Sequence, residues 1–417
     1  MEKKWMIALM GTLTQLGLGT VYAWSFFQLP ITTLSGWSNA KVAWAFGLAI
    51  FMLGITAAWG GTKLDKYGPR KLAVIGGILY AIGYFISSFA LKTLSLSLLY
   101  IGFGIIGGIG LGLAYVTPVA TVSRWFTTKQ GLATGMVVMG FGLGALLMSK
   151  LVAPYFLTVT ENNLISTFNY IGIFLLIFLP ICAWFLELPK DSIKISNTEN
   201  PKIQISKYIF QQKFVVLWIL FLINIVAGMI FISFQSPLLQ DILKNRMPSV
   251  TDFTNPETIA KLSAAGATLI AISSIFNGLG RIFWGTVSDK IGRFFSFKLL
   301  LIIQLFVFIS LLFIKTPVLF SIMVCIILLC YGGGFGIIPS LVKDNYGNEL
   351  MSGIYGAILT AWGDGGIIGP QIVALMKDTY GDKAGYYSFI VGSIILLIGV
   401  IISFLFSKKM NPKKAGI

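Results

Sequence analysis

Twelve apolar stretches recur along the chain, near 6–31, 41–62, 72–91, 96–121, 131–155, 164–186, 214–240, 262–288, 295–314, 317–342, 350–376 and 384–407. Each is long enough, at about 20 residues, to cross a hydrocarbon layer as a helix. In lipid every backbone N–H and C=O must be satisfied inside its own segment, so the expected fold is all-α and membrane-spanning. Composition agrees: the 417 residues are 56% hydrophobic and only 11% charged, too little charge for the surface of a soluble protein of that size. The chain is therefore expected to fold in a lipid bilayer and to act as a monomer.

A formal charge of +16 could point to nucleic acid, but its distribution speaks against that. With the N-terminus inside, about two-thirds of the 31 lysines and arginines fall on the cytoplasmic side of the twelve spans. The excess then reports topology, with both termini cytoplasmic in the cell (inner) membrane. The first span follows Met-Glu-Lys-Lys and is too long to read as a cleaved signal.

Several chemistries are excluded early. There is no histidine, so imidazole relays, His-ligated metals and Ser–His catalysis are absent. The three cysteines, Cys182, Cys325 and Cys330, lie in apolar runs with no metal or disulfide spacing. Gly102-Phe103-Gly104-Ile105-Ile106-Gly107 fits a dinucleotide-binding pattern, yet it lies inside an unbroken apolar span with no strand before it. It reads as a helix-packing face. No cofactor, metal or enzyme activity is expected.

The chain repeats itself. Gly61-Thr-Lys-Leu-Asp65-Lys66-Tyr-Gly68 follows span two, and Gly285-Thr-Val-Ser-Asp289-Lys290-Ile-Gly292 follows span eight. Phe27-Gln28-Leu29-Pro30 is echoed by Phe234-Gln235-Ser236-Pro237. Two six-helix bundles follow, residues 1–190 and 214–417, joined by a polar, lysine-rich cytoplasmic linker at 191–213. Parallel repeats of this kind place a substrate site on the pseudo-symmetry axis near the bilayer midplane. Asp65 and Asp289 belong to gating or structural loops, where a carboxylate can bond the next helix N-terminus and glycine permits the turn.

The paired Gly-x-x-x-Asp-Lys-x-Gly loops resemble the signature of the major facilitator superfamily. Arg124-Trp125-Phe126-Thr-Thr-Lys129-Gln-Gly131-Leu132-Ala133-Thr134-Gly135 is similar to the signature of the monocarboxylate porters, above all their bacterial oxalate/formate antiporter branch. Gly19-Thr-Val-Tyr22-Ala-Trp24-Ser25 is similar to that branch too. The resemblance implies that an arginine in span eight binds the substrate carboxylate, and the matching position is Arg281.

Arg281 stands out without any resemblance, because no other charge occurs between Lys261 and Asp289. A charge at that depth costs at least about 2.5–3.5 kcal/mol to insert, so it must face a cavity or a partner. A structural arginine is the plain alternative; a guanidinium fork also fits a carboxylate with two parallel hydrogen bonds. Asn277 lies one turn earlier on the same face. The resemblance implies an aspartate there in many animal relatives, and an amide cannot carry their proton. In span eleven, the resemblance implies a lysine in the oxalate exchanger of this branch where Trp362 stands here, so one cation remains and a monoanion fits better than a dianion.

Asp364 is the one acid placed within a span, and so a candidate for proton coupling, though a structural role competes. Tyr22, Tyr115, Tyr331, Phe335 and Gln28 are candidate cavity-lining residues; packing is the commoner role for such aromatics. The expected function is secondary active transport of small monocarboxylates, lactate-like and proton-coupled, by alternating access. Oxalate/formate-type exchange is the alternative, and a non-transporting membrane sensor a weaker one. The expected partners are the anion, a proton and the bilayer.

Overall fold

The structure is a computed structural model, and it describes residues 2–126, 130–189, 206–246 and 255–407. Most of the expected linker, at 190–205, lies outside the described residues, as do 127–129 of the span-five motif and the side chain of Asp65. The described residues form helices and no strand.

Among the described residues, eleven helical stretches are long and apolar enough to cross a bilayer. The last, Gly353–Leu405, has 53 residues, or roughly 80 Å of helix if straight, far more than one crossing needs. It breaks at Gly381, whose φ of 53° is left-handed, into Thr360–Tyr380 and Ala384–Leu405. Twelve crossings result. We number them α1 (Lys3–Ser35), α2 (Asn39–Tyr67), α3 (Pro69–Lys92), α4 (Leu96–Trp125), α5 (Ala133–Val159), α6 (Leu164–Trp184), α7 (Gln212–Lys244), α8 (Pro256–Ile291), α9 (Arg293–Leu311), α10 (Pro317–Gly347), α11 (Thr360–Tyr380) and α12 (Ala384–Leu405).

The repeated loops fold alike. Gly68 and Gly292 each end a helix with positive φ, 77° and 95°, a conformation that glycine enters without a Cβ penalty. Asp289 meets the first side chain of α9, Arg293, at 2.9 Å, and Arg293 also reaches Asp344 at 2.7 Å. The carboxylate thus engages the neighbouring helix through an ion pair where a bond to its backbone N–H groups was expected. The Gly102–Gly107 segment is a packing face: a Cβ on Gly104 would come 2.8 Å from Leu48 on α2.

The halves α1–α6 and α7–α12 meet along two equivalent seams, α2 against α11 and α5 against α8. Along α5–α8 the backbones nearly touch, since a Cβ on Gly142 would lie 2.7 Å from the Cα of Gly278. Ser274 Oγ donates to the Gly142 carbonyl at 2.6 Å across this seam. Toward the face opposite the termini, further bonds join the halves. Lys150 Nζ donates to Thr268 Oγ1 at 2.7 Å, and the Ser236 N–H donates to Ser25 Oγ at 2.8 Å. Asp378, at the end of α11, accepts from the Asn39 and Ala40 N–H groups, both at 2.8 Å, and from Asn39 Nδ2 at 3.0 Å. A carboxylate of one half therefore caps a helix N-terminus of the other, where the helix dipole and free N–H groups favour negative charge.

Loss of such a cap typically costs about 1 kcal/mol, roughly a fivefold shift in an opening equilibrium. Asp378→Ala should therefore speed labelling of a cysteine at the buried seam position Ser236 by an impermeant thiol reagent added on that face. The three native cysteines are buried, so background labelling stays low. Unchanged labelling would show that the cap does not hold this face shut.

Candidate functional site

Arg281 comes to lie between the halves on α8, with 3% of its surface exposed. Its Nε, Nη1 and Nη2 have no hydrogen-bond partner among the described residues, and no carboxylate pairs with it there. It is surrounded by rings instead. Its Cζ sits 4.8 Å from the centroid of Phe335 and 5.9 Å from that of Phe141. The Tyr115 hydroxyl comes within reach of the guanidinium without meeting the geometry of a hydrogen bond.

These rings form one cage built from both halves. Trp362, fully buried on α11, lies 4.9 Å from Phe335, 5.0 Å from Tyr115 and 5.7 Å from Phe141, centroid to centroid. Tyr22 packs edge-on to Phe141 at 5.0 Å, and its hydroxyl meets that of Tyr331 at 2.5 Å. Local structure explains why Tyr22 can enter. The stretch Gly19–Ala23 tightens into a 3₁₀ turn between the two α segments of α1, re-aiming the side chains there.

Magnitudes show what the cage can and cannot do. Cation–π contacts contribute about 0.5–2 kcal/mol each, whereas taking an ion out of water costs several kcal/mol even after relaxation. Rings alone leave the guanidinium under-compensated. A planar anion would complete the site, because its two oxygens could accept from the unpartnered N–H groups.

One turn from Arg281, Asn277 is 1% exposed and its Oδ1 has no partner. It lines a small pocket between the halves together with Tyr22, Gly142, Gln235 and Ser273. The structure thus brings Arg281, Asn277, Tyr22, Tyr115, Tyr331, Phe335 and Trp362 into one region.

Gln28 is not brought there: it accepts from Trp24 Nε1 at 2.8 Å and donates to the Asn39 carbonyl at 3.2 Å, inside the first half. Nor is Asp364. Two residues along a helix turn it about 200° from Trp362, onto the side where Ile368 is exposed. It is half-buried and makes no hydrogen bond or ion pair among the described residues.

Phe141 was missed. For Phe141 a signal existed in Gly140-Phe141-Gly142-Leu143-Gly144, where the glycines let α5 approach α1 and α8 and leave one ring projecting between them.

The model of the Major Facilitator Superfamily matches residues 7–370. The chain belongs to the major facilitator superfamily. Within it, the chain is 25% identical over 407 residues to the oxalate:formate antiporter of Oxalobacter formigenes, covering 95% of this chain and 90% of that protein. It is 33% identical over 115 residues to monocarboxylate transporter 14 of Mus musculus, covering 28% of this chain and 22% of that one. Its backbone is similar to that of a bacterial homolog of the human lysosomal transporter Spinster in an inward-facing and occupied conformation. The TM-score is 0.69 at 16% identity, covering 99% and 98% of the two chains, which shows the shared fold. As a facilitator-superfamily member the chain is a multi-pass membrane transporter, and its relatives are carriers rather than enzymes.

The Tyr22–Tyr331 hydroxyl bond links the two halves of this carrier at its centre. Leaving a buried hydroxyl unpaired costs about 1–3 kcal/mol. Tyr22→Phe and Tyr331→Phe should each lower the melting temperature of the purified protein by a few degrees. The double variant should lose clearly less than the two combined. Strict additivity would show that the pair is not coupled.

Proposed function

We propose that this carrier moves small monocarboxylates, lactate-like in size, together with a proton by alternating access. The observation that carries the reading is the buried, unpartnered guanidinium of Arg281 inside an aromatic cage contributed by both halves. A bound carboxylate neutralises that charge, and the desolvated pair favours closure of the halves around it. With Trp362 in the cage, one cation faces the substrate, which suits a monoanion, and the rings enclose a short apolar tail. We place both termini in the cytoplasm of a cell (inner) membrane, as the charge distribution implies.

Proton symport follows from the potential: moving a monoanion inward against an inside-negative membrane costs about 2.3 kcal/mol per 100 mV. Asn277 cannot titrate, and Asp364 faces away from the cage. We infer that no carboxylate of the cage carries the coupled proton. The second reading, oxalate/formate-type exchange, is favoured by the similarity to the Oxalobacter protein.

Proteoliposome uptake separates the readings. Labelled lactate should enter in response to an inward proton gradient, and oxalate should compete poorly. Arg281→Lys keeps the charge but loses the fork, so uptake should fall at least tenfold while the protein still inserts. Strong oxalate exchange, or unchanged uptake in Arg281→Lys, would overturn the proposal. Asp364→Asn should leave pH-driven accumulation in place; its loss would assign the proton to Asp364.

A further inference from the structure

The small pocket beside the cage is polar at its far end. Ser273 Oγ donates to Gln235 Oε1 at 2.7 Å, and the two residues are 0% and 2% exposed. Both line the pocket with Asn277, Tyr22 and Gly142. Arg281, Asn277 and Ser273 follow at four-residue steps along α8, so they share one face. About 12 Å of helix axis separates positions 273 and 281. Side chains on a helix tilt toward its N-terminus, which carries the Arg281 guanidinium toward the pocket and narrows that gap. Gly142 leaves space on the opposite wall, next to Phe141, over which the guanidinium lies.

We propose that this pocket is a second polar subsite, in which Gln235 and Ser273 take the hydroxyl at C3 of a short hydroxylated monocarboxylate. The inference rests on Arg281 holding the carboxylate. A hydroxyl at C2 stays beside the carboxylate, at the level of Asn277. A hydroxyl at C3 extends farther from the guanidinium, toward the Gln235–Ser273 pair. The pocket has room for about one water-sized group, such as a hydroxyl, and an apolar methyl there makes no hydrogen bond with the pair. Such a mismatch is what lets a polar site reject an analogue lacking the hydroxyl.

The test compares binding of propionate, lactate and 3-hydroxypropanoate to the purified full-length carrier by calorimetry. The wild type should bind 3-hydroxypropanoate about tenfold more tightly than propionate, the effect of one well-made hydrogen bond. Gln235→Leu and Ser273→Ala should each bring that ratio to within about twofold. Propionate should bind the variants at least as tightly as the wild type, and the lactate-to-propionate ratio should stay unchanged, which also reports that the variants are folded. If Gln235→Leu binds nothing, the milder Ser273→Ala decides. A wild type without preference for the C3 hydroxyl, or a preference surviving in the folded variants, overturns the subsite alone. Propionate binding unaffected by Arg281→Lys instead overturns the carboxylate anchor, and the subsite with it.

Discussion

A guanidinium cannot shed its charge inside a membrane, and that single fact organises the middle of this molecule. Lysine could deprotonate when buried; arginine stays ionised. Arg281 must therefore be offset by neighbours or by something that comes and goes. The neighbours are rings, whose faces attract a cation without cancelling it. The uncompensated remainder is what makes a passing carboxylate a better partner than any fixed group of the described protein.

Glycine makes that arrangement possible. Backbones in a bilayer approach closely where side chains are absent, and packing then does what the hydrophobic effect does in water. The Gly142–Gly278 contact draws α5 and α8 together beside the arginine. Phe141 from one half and Phe335 from the other thus reach the same guanidinium. Hydrogen bonds across the two seams, from Ser274 near the cage to Asp378 at the far face, then tie the halves at several depths. A ligand that changes the charge balance at Arg281 acts on a boundary that is already shared, so binding and rearrangement have a common lever.

Much of this was legible in the residues. The twelve apolar runs and the two Gly-x-x-x-Asp-Lys-x-Gly loops specify the membrane fold, because lipid leaves few backbone solutions. Arg281 announced itself by depth alone, and Asn277 by helical spacing from it. Tyr22, Tyr115, Tyr331, Phe335 and Trp362 could be shortlisted as aromatics inside spans but not ordered, since periodicity on one helix says nothing about which distant helix it meets. Gln28 shows the limit: a buried amide wants partners, and those it found were Trp24 and the Asn39 carbonyl within its own half. The role of Asp289 differed for a similar reason. Its position in the loop was readable, whereas its bond to Arg293 depended on the rotamer that a neighbouring helix allows.

The central claim is that charge, not shape, holds the ligand at Arg281. Calorimetric titration of the purified carrier with lactate and with lactamide, a neutral analogue of nearly the same shape, tests this directly. Saturable binding of lactate, with lactamide at least a hundredfold weaker, is the result expected when a carboxylate pairs with an otherwise unpartnered guanidinium. Equal affinity for the two would contradict the account.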